Sequence, residues 1–169
     1  MRLWKGIAIG FIAALVVFAI GAWLYTGFGL APVAAAADPI PFEEYFAHRA
    51  LKAQVHKAAD LRSPIDASEP NLAAGATIYK EHCAVCHGFP NHPETNIAKG
   101  MFPHPPQLFH GKGVTDDPVG ETFWLAKNGI RLSGMPAFGK TLSETQLWQV
   151  AQLLATPTLP AAVKASLTP

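Results

Sequence analysis

The chain has 169 residues, half of them apolar, with 13 basic and 12 acidic side chains and two cysteines. That length suits one domain with an appendage. A net charge of +1 without any basic stripe excludes nucleic acid as the expected partner.

The first predicted element is membrane-sized. Residues 6–37 contain no charged side chain, and residues 6–30 are almost wholly apolar. About 20 such residues span a bilayer as a helix. Arg2 and Lys5 precede the run with no acid nearby, which keeps the N-terminus cytoplasmic by the positive-inside tendency. Trp4 at one end and Trp23 with Tyr25 at the other occupy positions where interfacial aromatics gather. A cleaved signal peptide is the competing reading, because small residues at 34–37 precede Asp38. The apolar run is longer than a signal's core of roughly 7–15 residues, so residues 1–30 are expected to be a retained transmembrane anchor. Both readings export the remainder, which carries a net charge of −1 once Arg2 and Lys5 are set aside.

Residues 31–70 read as a juxtamembrane linker with prolines at both ends (Pro32, Pro39, Pro41, Pro64, Pro70). Its middle lacks proline and glycine, and a helix is predicted over 42–61. Pro41 suits the first helical position, and Glu43 and Glu44 suit the first turn. Phe42, Tyr45, Phe46 and Arg49 then share one side, facing a membrane surface or a partner, or belonging to a plain spacer.

Residues 71–169 form the chemical domain. A helix is predicted over 72–82 with Asn71 as N-cap. Proline and glycine make 88–117 a loop. A second helix covers 118–128 and is closed by Gly129. A third covers 143–155, with Ser143 as N-cap, Gln146 as its capping-box partner and Pro157 beyond its end. No alternating run demands a strand, so the expected fold class is all-α.

Five contiguous residues carry the chemistry: Cys83-Ala84-Val85-Cys86-His87. Two thiols three positions apart followed at once by an imidazole form the attachment site of a c-type haem. The sulfurs bond to the two porphyrin vinyl groups, and His87 reaches the iron. A thioredoxin-type dithiol shares the spacing but lacks its usual sequence context here. A zinc site would need His82, His87 or His92 at cramped spacing. Covalent haem attachment takes place outside the cytosol. Together with the anchor, this places the haem domain on the periplasmic side of a bacterial inner membrane, as a single-pass protein.

The second iron ligand must come from another segment. Met135, in Gly134-Met135-Pro136, is the favoured candidate: glycine lets the backbone approach the ring and proline stiffens the loop. A thioether binds ferrous iron well and raises the reduction potential. Met101, His92, His104 and His110 remain open as alternatives. The expected metal ligands are therefore His87 and Met135, and the expected cofactor is one covalently attached haem c.

With these motifs the chain resembles the class I cytochromes c, and most closely the membrane-anchored monohaem bacterial type. The resemblance covers about residues 71–156. It rests on Gly75-Ala76-Thr77-Ile78-Tyr79 before Cys83, Gly88 after His87, and Asn128-Gly129-Ile130-Arg131 leading into Gly134-Met135-Pro136. It implies about three main helices around one haem, preceded here by a single N-terminal transmembrane helix. It implies that the Pro106 carbonyl accepts a hydrogen bond from His87 and that Leu108 packs on the haem. It implies that Gly75 and Tyr79 cross the last helix near Leu147 and Trp148, and that Arg131 or Trp124 contacts a propionate.

The expected function is one-electron transfer, without enzymatic activity and without a small-molecule substrate. Expected partners are membrane lipid and redox proteins: a dehydrogenase, a quinol-oxidising complex or a terminal oxidase. Two alternatives stand beside a free shuttle. One is a fixed haem subunit of a larger oxidoreductase; the other is a haem peroxidase or gas sensor that opens when Met135 leaves the iron.

Overall fold

The computed structural model describes residues 2–109 and 116–169. All regular elements among them are helical, with no strand. The chain divides into two compact units, Met1–Pro41 and Phe42–Pro169.

The first unit is dominated by α1 (Arg2–Gly27). Residues Leu3–Gly27 are long and apolar enough to cross a membrane, and none of the span is buried within the protein. A helix of that length rises about 37 Å, against a hydrocarbon core of about 30 Å. A largely apolar helix of this length fits a membrane anchor.

The second unit opens with α2 (Glu43–Val55) and a 3-10 turn, His56–Ala58. This is shorter than the helix expected over 42–61. Phe42, at φ 68, occupies the N-cap, so Pro41 lies outside the helix and not at its first position. Val55 and Ala58 are buried, and His56 Nδ1 meets Glu121 Oε1 at 3.1 Å. The helix expected in the linker thus clusters with the second unit.

The frame of that unit is α3 (Glu69–His82) against α7 (Glu144–Ala155), joined by α6 (Val119–Asn128). The α3–α7 crossing depends on Gly75: a Cβ there would collide with the Gln149 carbonyl and press on Leu153. Leu72 and Tyr79 share a core cluster with Val150, Leu153 and Leu154. Each large side chain buried there contributes about 1.5–3 kcal/mol. Leu147 and Trp148, expected at this crossing, turn instead toward α6, where the Trp148 ring stacks on Phe123 at 3.9 Å.

The helix ends show what local pattern captures and what it misses. Ser143 and Gln146 form the full capping box of α7, with both reciprocal hydrogen bonds present. Asn71 does not cap α3. It lies inside the first turn, and its amide donates to Asp66 Oδ1 at 2.8 Å and accepts from Gln149 Nε2 at 3.1 Å. Partners elsewhere in the same chain outcompete the local cap. The helix then starts earlier, from Ser68, with Pro70 in its first turn.

Three further short helices complete the unit: α4 (Ala84–His87), α5 (Asn96–Lys99) and α8 (Ala161–Ser166). Helix α5 lies inside the segment expected to be loop, and its cap is Thr95, whose Oγ1 accepts from the Ala98 amide at 3.0 Å. Helix α8 was not anticipated. It docks Val163, with Leu167 just beyond its end, onto the α3–α7 cluster, burying both.

Candidate haem site

One cavity of about 200 Å³ lies between α3–α4, α6, α7 and the loops before and after α6. Its wall is almost wholly apolar. Leu125 and Ala126 come from α6, Val150 and Leu154 from α7, and Leu108 and Phe138 from the loops. Cys83, Cys86, His87 and Met135 all line it.

The motif is positioned by the end of α3. The Cys83 amide donates to the Tyr79 carbonyl at 2.9 Å, and the amides of Cys86 and His87 donate back to Cys83 O at 3.1 and 2.9 Å. This tight turn places both thiols and the imidazole on the cavity side. Tyr79 is fully buried, and its hydroxyl donates to Gly88 O at 2.7 Å, pinning the residue after the histidine. Burial, with the nearby Cys86 sulfur, pushes the Cys83 thiol up to about 12. That sulfur therefore sits in an apolar place.

His87 is held by its outer nitrogen: Nδ1–H donates to the Pro106 carbonyl at 2.8 Å. The tautomer so fixed leaves Nε2 with its lone pair. Burial lowers the His87 pKa below the usual imidazole range, against a smaller upward pull from the Pro106 bond. A neutral imidazole with a defined free nitrogen is what metal ligation needs.

Met135 belongs to a loop tied to the end of α6. The Ile130 amide donates to Met135 O at 3.2 Å, and the Met135 amide donates to Ser133 Oγ at 3.2 Å. Gly129 closes α6 at φ 64, and a Cβ on it would strike the Met135–Pro136–Ala137 backbone. Glycine is required there on both counts. At Gly134 the crowding comes from protein: a Cβ would meet the Met101 methyl. Met101 thus lines the same cavity beside Met135, a neighbour that sequence distance concealed.

The remaining expected residues divide. The Pro106 carbonyl reaches His87 and Leu108 lines the cavity, as the resemblance implied. Arg131 is exposed and Trp124 half-buried, and the structure brings neither to the cavity wall. His104 lines the wall with its Nε2 3.4 Å from Glu94, while His92 lies outside it against Phe89. His110 falls outside the described residues. Thr122, a buried polar residue on α6, and the α7 residues Val150 and Leu154 were missed. Their cavity faces are indistinguishable from core positions in the sequence.

The donor set suits a c-type haem. A flat apolar macrocycle matches the wall, the two thiols are spaced for thioether attachment, and a nitrogen and a sulfur are available as axial ligands. Among the described residues no cluster of three or more His, Cys, Asp or Glu offers a competing metal site.

A family model described as cytochrome c oxidase, cbb3-type, subunit III, matches residues 70–154. No curated protein matches the chain. The matched segment runs from the first turn of α3 to the last turn of α7 and so contains both cavity walls. The chain belongs to this family, and its helical second unit is a c-type cytochrome domain.

Proposed function

We propose that the protein is a membrane-tethered monohaem electron carrier of the periplasmic face. Cys83 and Cys86 hold one haem c covalently, and His87 and Met135 are its axial ligands. The observation that carries this reading is the convergence of all four side chains on one apolar cavity, with the imidazole oriented by Pro106. The haem supplies a one-electron change at its iron. The chain's own residues keep water from the ring through Leu108, Leu125, Val150 and Leu154. They fix the His87 tautomer, and they hold Met135 on a short tied loop. Filling both axial positions leaves no site for a substrate, which favours a carrier over a peroxidase or gas sensor. Arg2 and Lys5 at the N-terminal end of α1 support a cytoplasmic N-terminus and an exported haem domain.

The ligand assignment is tested with Met135→Ala. The variant is expected to keep covalent haem, lose its sulfur-to-iron band in the far red, drop in potential and bind carbon monoxide when reduced. Met101→Ala is expected to keep the band. Unchanged spectra in Met135→Ala would show that another side chain ligates.

A second reading, the fixed subunit of a larger oxidoreductase, is favoured by the family's description as an oxidase subunit. Purification in mild detergent separates the two. A stoichiometric oxidase or dehydrogenase travelling with the chain establishes the subunit, and its absence establishes the shuttle.

A further inference from the structure

We infer that one side of α2 is a lipid-docking face, which holds the haem domain against an anionic bilayer surface. The inference rests on the proposed anchoring by α1 and adds a second membrane contact, made by α2.

Three aromatic rings open this face. Phe42, Tyr45 and Phe46 are 73%, 58% and 64% exposed, an unusual outlay of apolar surface for three neighbouring residues. The Tyr45 and Phe46 rings meet edge to face at 5.3 Å, so they form one patch. Phe42 holds a φ of 68, a conformation costly for a bulky side chain, and no burial of its ring within the protein offsets it. Helical spacing puts Arg49 and Lys52 on the same side, followed by the small Ala53. Both cations are exposed, and neither is ion-paired among the described residues. Glu43 and Glu44 fall on other sides of the helix, so this face has no carboxylate of its own. It ends at His56, which is engaged with Glu121. The opposite side carries the half-buried Leu51 and the buried Val55 and packs into the domain.

Rings flanked by cations are the composition of an interfacial helix on anionic lipid. Position in the chain selects lipid over a protein partner. Residues 28–41 join this face to the apolar span, and fourteen residues reach at most about 50 Å. A patch on so short a tether meets the bilayer at high effective concentration, whereas a soluble partner must find it by diffusion.

The test uses the full holoprotein in nanodiscs of phosphatidylcholine, with or without phosphatidylglycerol. With both native thiols consumed by haem, a nitroxide is attached at Ala53→Cys on the face or at Ala47→Cys on an exposed flank away from it. In discs containing phosphatidylglycerol, the label at position 53 is expected to be several-fold less accessible to a nickel chelate, and more accessible to oxygen, than the label at 47. Arg49→Glu/Lys52→Glu should remove the effect of phosphatidylglycerol, and Phe42→Ser/Phe46→Ser should remove the contrast itself. Equal accessibility at 53 and 47 in both compositions overturns the assignment. So does shielding of 53 that appears only when another protein is added. Flotation with membranes after a carbonate wash reads the anchor separately: loss of flotation sinks the anchor and this inference together. Retained flotation with equal accessibility sinks the lipid-docking face alone.

Discussion

The two walls of the cavity are built differently. The His87 wall is the end of a helix followed by one turn. Within it, backbone amides of 83, 86, 87 and 88 all donate to carbonyls of the same segment. Tyr79 from below and Pro106 from the side fix it further, at 2.7 and 2.8 Å. The Met135 wall is a loop between α6 and the 3-10 turn Phe138–Lys140. Its backbone bonds are longer, Ile130 N to Met135 O at 3.2 Å and Ser133 N to Ile130 O at 3.3 Å, with one short side-chain bond, Ser133 Oγ to Ile130 O at 2.8 Å. Its tip, Leu132, is 94% exposed at φ 59. A neutral hydrogen bond contributes about 1 kcal/mol net, so the greater number of these bonds makes the first wall the firmer. Of the two proposed ligands, one is supplied by secondary structure and the other by a tied loop. Ligation should therefore yield first on the methionine side.

The comparison breaks most completely when the firm wall loses its covalent hold. With the proposed two-thiol attachment, Cys86→Ala leaves a single point of attachment, so the haem would fill the cavity less securely and the core around Leu108, Val150 and Leu154 would lose its centre. Because a group bound only by the folded state stabilises that state, holoprotein yield is expected to fall roughly tenfold or more. Haem absorbance per milligram of purified chain measures it, and full yield would contradict it. Tyr79→Phe is the next step down. It keeps the buried ring against Phe109, at 5.0 Å, but strands the Gly88 carbonyl. The expected loss is about 1–3 kcal/mol in denaturant unfolding, with the sulfur band unchanged. Loss of that band instead would mean that the two walls are mechanically coupled.

Acid sharpens the contrast from the opposite direction, because only one wall has a proton to take. Burial alone holds the folded His87 pKa below its ordinary 6.5, and iron on Nε2 in the proposed site would oppose protonation in the same direction. The unfolded chain therefore binds the proton first as pH falls. The stabilisation tied to neutral His87 is full above about 6.5 and declines below it, by at most about 1.4 kcal/mol per pH unit. Guanidinium midpoints should fall between neutral and mildly acid pH. A midpoint that rises with acid over that range would show that another group dominates.

The same difference decides how much was legible in the sequence. The firm wall is contiguous: covalent chemistry forces its two thiols and imidazole into five residues, and a reader finds them without knowing the fold. Ser143 and Gln146 were readable for the same reason, since their partners are three residues apart. Met135 could be picked out only through its glycine and proline neighbours. Met101, which touches the same loop, stands in the sequence only as an open alternative because its proximity is tertiary. Thr122, Leu125 and Val150 carry no mark separating a cofactor wall from ordinary core. Asn71 shows the limit from the other side. Its side chain suited a local cap, but Asp66 and Gln149 offered it better partners. Arg131 and Trp124 were carried over on position alone, and a single turn of the Ile130–Met135 loop is enough to direct Arg131 into solvent. Helix α8 follows Pro157 and Pro160 and has six residues, too few to show a period.

The smallest expected effect concerns the tip of the softer wall. Leu132 occupies the left-handed region, where a non-glycine residue costs about 1–2 kcal/mol, and its side chain has almost no protein contact to offset that. Glycine removes the strain but adds about 0.5–1 kcal/mol of chain entropy lost on folding. Leu132→Gly should therefore raise stability by a few tenths to about 1 kcal/mol. Leu132→Ala, which keeps the Cβ and the strain, should change it little. Thermal melts of the two variants separate relief of the backbone from loss of the side chain. Equal melting temperatures for the pair would mean that the loop is not strained at its tip. The looseness of the methionine wall would then lie in its long hydrogen bonds to Ile130 and Ser133.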